Sequence, residues 1–60
     1  MTAHVHFYKG TEEYTTATID VVPRIGEIVS LGELDIYKVI DVQHIIPCNI
    51  VAVYLRPLLS

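Results

Sequence analysis

The sequence predicts an all-β fold: five short antiparallel strands forming a small barrel or a curled sheet. Three observations predict it. β-branched and aromatic residues dominate the 60-residue chain, as pleated, half-buried surfaces require. No window keeps an apolar rhythm at i, i+3 and i+4 long enough for an amphipathic helix. Turn signals recur at short intervals, at Gly10, at Pro23 with Gly26, at Gly32, and at Pro47 with Asn49.

The first strand is expected over Ala3–Lys9. Val5 and Phe7 face one way, and His4, His6 and Tyr8 the other. Gly10 to Glu13 turns the chain into a Thr-rich second strand, expected over Tyr14–Val22. A short helix capped by Thr11 is the alternative there, but Thr15, Thr16 and Thr18 disfavour helix. Pro23 cannot donate to a ladder and suits the first central position of a turn. Gly26 accepts a positive φ that its neighbours would resist. Together they mark a sharp change of strand direction, as at a barrel corner.

The third strand, Glu27–Leu31, leads into a hairpin at Leu31-Gly32-Glu33-Leu34 and a fourth strand over Asp35–His44. Two registers compete. A two-residue Gly32-Glu33 turn sets Glu27 opposite Lys38. A three-residue loop sets Val29 opposite Tyr37 and gathers Val29, Leu31, Tyr37 and Val39 on one face. The second is preferred because a one-residue slip would send all four to the other side. The last strand, Ile50–Arg56, is apolar on both faces, which marks a central strand or one covered by a second molecule. Pro57 is expected to end it.

A single domain of this size buries only about 60% of the surface its unfolded chain exposes. Small domains compensate with disulfides, a metal or oligomerisation. Cys48 is the only cysteine, and one Cys with three His makes no standard structural zinc set. The chain is 52% hydrophobic but only 18% charged, against about 25% charged in typical domains. More apolar surface than it can shelter points to a homo-oligomer. The N-terminus has no signal-peptide pattern and no apolar run could span a bilayer, so a cytoplasmic protein without membrane contact is expected. A net charge of −3, with only Lys9, Arg24, Lys38 and Arg56 as cations, disfavours nucleic acid as a partner.

The pattern Pro23-x-x-Gly26-x-x-Val29-x-Leu31, followed by Tyr37-x-Val39, resembles that of small SH3-like β-barrel proteins. Many of these are short accessory proteins of bacteria and their phages. The resemblance covers about Val22 to Tyr54. It implies the barrel fold and a non-catalytic accessory role, and it carries no functional residue over to this chain. The cluster of exposed aromatics with which peptide-binding SH3 domains hold proline-rich ligands is missing.

Chemistry-bearing residues are few. His4 and His6 share a strand face, and His44 would complete three imidazoles if the first and fourth strands were neighbours. The simpler reading leaves them exposed on a polar face, with no metal and no cofactor. Cys48 has no base at a meaningful spacing. The acidic residues Glu12, Glu13, Glu27, Glu33, Asp35 and Asp41 lie in turns or on polar strand faces, and none is paired as acid–base work requires. No phosphate loop or nucleophile elbow is present. The protein is therefore read as no enzyme.

Two groups of residues remain. Arg24 and Arg56, with His4, His6 and Tyr8, could hold a small anionic ligand such as a nucleotide between subunits, since arginine's planar fork suits carboxylate or phosphate. Tyr54, Leu58 and Leu59 are candidates for self-association, with Arg24 and Tyr8 as contacts to a partner such as a host protein. The leading expectation is a non-catalytic interaction module, an oligomeric phage or mobile-element accessory protein that inhibits a host system. The alternative is sequestration of the small anion at subunit interfaces.

Overall fold

The structure is a computed structural model and describes residues 2–58. The strands are β1 (Ala3–Lys9), β2 (Glu12–Ile19), β3 (Ile28–Ser30), β4 (Ile36–Ile45) and β5 (Ile50–Pro57), with a single 3₁₀ turn at Ile46–Cys48. They form one curled sheet in the order β2-β1-β5-β4-β3. β1 is antiparallel to β2, β3 to β4 and β4 to β5, whereas β1 and β5 run parallel. The expectation of a purely antiparallel sheet is thus corrected to a mixed one.

The reason is parity. Successive strands here alternate in direction, so the first and fifth point the same way. When the sheet curls to bring them together, they can pair only in parallel. The curl goes no further than a half-barrel. β2 and β3 are consecutive in the chain, yet no ladder joins them among the described residues, and the seam between them stays open.

Alternation sorts the side chains as the pleat demands. Val5 and Phe7 of β1, Tyr37 and Val39 of β4, and Val51, Val53 and Leu55 of β5 form one buried cluster on the concave face. Leu55, Val5, Val39 and Val53 are fully enclosed, each contributing roughly 1.5–3 kcal/mol of burial. Ala17 and Ile19 of β2, Val22, Val29, Leu31 and Val42 pack around its rim. β5 is central, between β1 and β4, which accounts for its apolar residues on both faces.

The β3–β4 hairpin takes the three-residue loop, with Val29 paired to Tyr37 and the Leu31 N–H bonded to the Asp35 carbonyl at 2.9 Å. Before it, the Glu27 N–H donates to the Arg24 carbonyl at 3.0 Å, closing a turn in which Gly26 has φ +94°. Positive φ at that position is what a type II turn requires. The turn's central residues are Ile25 and Gly26, and Pro23 precedes them. β2 begins and ends earlier than expected. Its register with β1 shifts between Phe7 and Tyr8, where Phe7 pairs with Thr15 and Tyr8 with Glu13, leaving Tyr14 as an extra residue. At the other chain reversal Asn49 adopts the left-handed conformation, φ 54°, which asparagine tolerates best among non-glycine residues.

Truncation should separate the enclosed from the exposed leucines. Leu55→Ala is expected to cost about 2–5 kcal/mol, comparable to the whole stability of a small domain. Leu34→Ala, at a residue 93% exposed, should stay within about 0.5 kcal/mol. Urea unfolding monitored by circular dichroism measures both.

Candidate functional site

The ladder registers decide which side chains share a face. His4 pairs with Ile50 and His6 with Ala52, so both histidines lie on the convex side, away from the core. Tyr8 is there too, opposite Tyr54, and the two rings stack with centroids 5.2 Å apart at 22°. The Tyr54 hydroxyl donates to Gln43 at 3.3 Å. Two residues along β5, Arg56 is paired with Lys38 of β4. The convex face therefore carries a tyrosine stack beside two adjoining cations.

Each convex histidine has a partner on β2. His6 Nδ1 donates to the Glu13 carboxylate, which can only accept and so fixes the proton on that nitrogen. His4 Nδ1 and the Thr18 hydroxyl share a hydrogen bond of 3.3 Å. His44 belongs elsewhere. It pairs with Val51, whose side chain is in the core, so His44 takes the concave face while β5 separates β4 from β1. The three histidines do not converge, and among the described residues no three His, Cys, Asp or Glu side chains gather to hold a metal. Cys48 is an exposed thiol beside His4 and His6 in a depression of about 510 Å³ shared with Thr16 and Thr18. No hydrogen bond joins it to a histidine among the described residues.

The expected anion group is split by the sheet. Tyr8, His4, His6 and Arg56 share the convex face, whereas Arg24 lines a cleft with Val22, Pro23, Ile25, Val42 and His44. The candidate association residues also separate. Tyr54 belongs to the tyrosine stack. Leu58 adjoins Leu34, Ile36 and Pro57 at the hairpin end of the sheet. Leu59 lies outside the described residues.

One cluster was invisible in the sequence. At the hairpin end, Lys9 Nζ donates to the Tyr37 hydroxyl at 3.2 Å and sits 4.0 Å from the centre of the Tyr14 ring. The Tyr14 hydroxyl donates to Asp35 at 3.4 Å, linking β2 to the β3–β4 hairpin across the open seam. The contacting pairs are 5 to 28 positions apart, so no local pattern could announce them. The hydrogen bond to Tyr37 raises the Lys9 pKa above its ordinary value, with desolvation opposing. The Asp35 carboxylate, first among several causes, raises that of Tyr14.

Both shifts have the same sign for stability. Lys9 holds its proton longer in the folded chain, so its contribution is complete below about pH 10.4 and fades above it. Tyr14 ionises more readily when unfolded, which erodes stability from about pH 10 upward. The urea midpoint should fall as the pH rises above about 10, and the Lys9→Met/Tyr14→Phe double variant should show a shallower fall. Equal slopes would contradict the cluster's role.

No helix among the described residues is long and apolar enough to cross a membrane. Compared with known proteins, the chain matches no family model, no curated protein and no solved structure. What it can do is read from its own geometry.

Proposed function

We propose that the protein is a non-catalytic interaction module that self-associates through the free edge of β2. The open seam carries this reading. β2 spans eight residues and among the described residues pairs only with β1, so one side of its backbone offers unpaired N–H and C=O groups. Proteins normally guard such edges with lysine, proline, bulges or brevity. β3, the opposite edge, has three residues and is guarded by brevity. On β2 the bulge at Tyr14 and the pair Glu12–Glu13 guard only the beginning, while Thr15–Ile19 carries no guard.

A second copy of the chain fits this edge. Antiparallel pairing about a two-fold axis makes the same patch serve both subunits and keeps the two Glu12–Glu13 ends apart. Parallel pairing would set like charges opposite each other. The excess of exposed aliphatic side chains supports association as well. Val21, Ile25, Leu34 and Ile46 are each more than 60% exposed, more than a chain this small normally leaves in water. The finer role, a cytoplasmic accessory protein of a phage or mobile element that blocks or bridges a host protein, is supported by small size and the resemblance to SH3-like barrels.

Capture of a small anion between subunits is the second reading. Its support is the convex face, where Tyr8 and Tyr54 adjoin Arg56 and Lys38 without an intervening ion pair among the described residues.

Placing lysines on the β2 edge tests the leading reading. Thr16 and Thr18 are exposed, so Thr16→Lys/Thr18→Lys should leave the core intact. The double variant should sediment as a monomer at concentrations where the unmodified protein is a dimer or larger. An unchanged mass would remove β2 as the association edge.

A further inference from the structure

A further chemistry-bearing place in the molecule is the cleft beside β4. Glu27 and Gly26 continue the β3 ladder along β4, through Val39 N–H to the Glu27 carbonyl at 2.9 Å and Gly26 N–H to the Val39 carbonyl at 2.8 Å. There the pairing stops. The Arg24–Glu27 turn swings the preceding segment away from β4, and a cleft of about 420 Å³ opens between Val22–Ile25 and the strand residues Val42 and His44. That is within the ~300–1,000 Å³ range of small-ligand pockets. Val22 and Val42 also pack on the core cluster, so the cleft's apolar wall is continuous with the interior.

Its charge is one-sided. Arg24 and His44 are the titratable residues of the lining, and Arg24 forms no ion pair among the described residues. Two carboxylates of the flanking segments are engaged elsewhere. Glu27 accepts the Arg24 backbone N–H at 2.6 Å, and Asp41 accepts the Val42 N–H at 2.9 Å while lying in the convex row opposite Tyr54. The turn that presents Arg24 is thus fixed by a backbone and a side-chain hydrogen bond, leaving the guanidinium free.

We infer that this cleft binds a small amphipathic carboxylate, its head on Arg24 and His44 and its aliphatic body along Val22, Pro23, Ile25 and Val42. A guanidinium presents the two parallel donors that a carboxylate takes bidentately. Apart from the His44 imidazole, which takes the head, the lining side chains that face the body are aliphatic, so the walls favour an alkyl chain over a stacking base. The site is complete within one chain and does not depend on self-association.

Hexanoate is the probe, with 1-hexanol as the uncharged tail and inorganic phosphate as the charge without a tail. In a ¹⁵N–¹H titration hexanoate should give saturable shifts centred on Ile25, Gly26, Val42 and His44, and the two controls should bind more weakly. Arg24→Gln, at an exposed position, should weaken hexanoate about tenfold, as loss of a charge-assisted hydrogen bond does. Ile25→Ser should weaken it too while leaving the charges in place. Any of four results overturns the assignment: no saturable shift, shifts centred on Leu34 and Leu58, hexanol binding as well as hexanoate, or Arg24→Gln within twofold of the unmodified protein.

Discussion

Five strands that alternate in direction leave the first and the last pointing the same way, and this molecule pairs those two. The β1–β5 ladder, from His4 with Ile50 to Lys9 with Leu55, joins the beginning of the chain to its end. It brings Val5 and Phe7 against Val51, Val53 and Leu55, and most of the enclosed core lies along it. Without that ladder the chain would be two hairpin-like halves, β1–β2 and β3–β4–β5, each exposing the apolar face that the other covers. Two-stranded ribbons are marginal in water, so cohesion here depends on a contact between residues more than 40 positions apart.

Spending the closing contact on β1 and β5 leaves β2 and β3 without each other. Three of the surfaces described follow from that unfinished closure. At the hairpin end Tyr14 and Asp35 bridge the seam by side chains, with Lys9 held over the Tyr14 ring and bonded to Tyr37. At the turn end no hydrogen bond bridges it among the described residues, and the chain before Gly26 stands off β4 to form the Arg24–His44 cleft. Between the two ends runs the backbone edge of β2. A closed barrel would bury that edge, as barrels do, and leave no cleft beside β4.

Much of this architecture was legible in the residues, because period-two alternation with one buried face specifies strands strongly. Ala3–Lys9 has the expected limits. Val29, Leu31, Tyr37 and Val39 chose the hairpin register by gathering on one face, and the twofold apolar character of Ile50–Leu55 announced a central strand. The parallel pairing of β1 with β5 was not legible, since alternation along a strand does not say which distant strand becomes its neighbour. The limits of β2 were missed because the bulge at Tyr14 is set by its partner strand. Of the candidate site, the shared face of His4, His6 and Tyr8 could be read from spacing alone. The split between Arg24 and Arg56 could not, because it depends on where the β3 ladder stops. Arg24 and His44 meet only because that ladder ends at Gly26 and Val39.

The free β2 edge is the central claim, and concentration-dependent hydrogen–deuterium exchange tests it most directly. In dilute protein the outward amides of Thr15–Ile19 should exchange quickly while those of β1 and β5 stay protected. In concentrated protein the same β2 amides should become protected and the others remain unchanged. β2 amides equally protected at both concentrations, or equally open at both, would contradict the account.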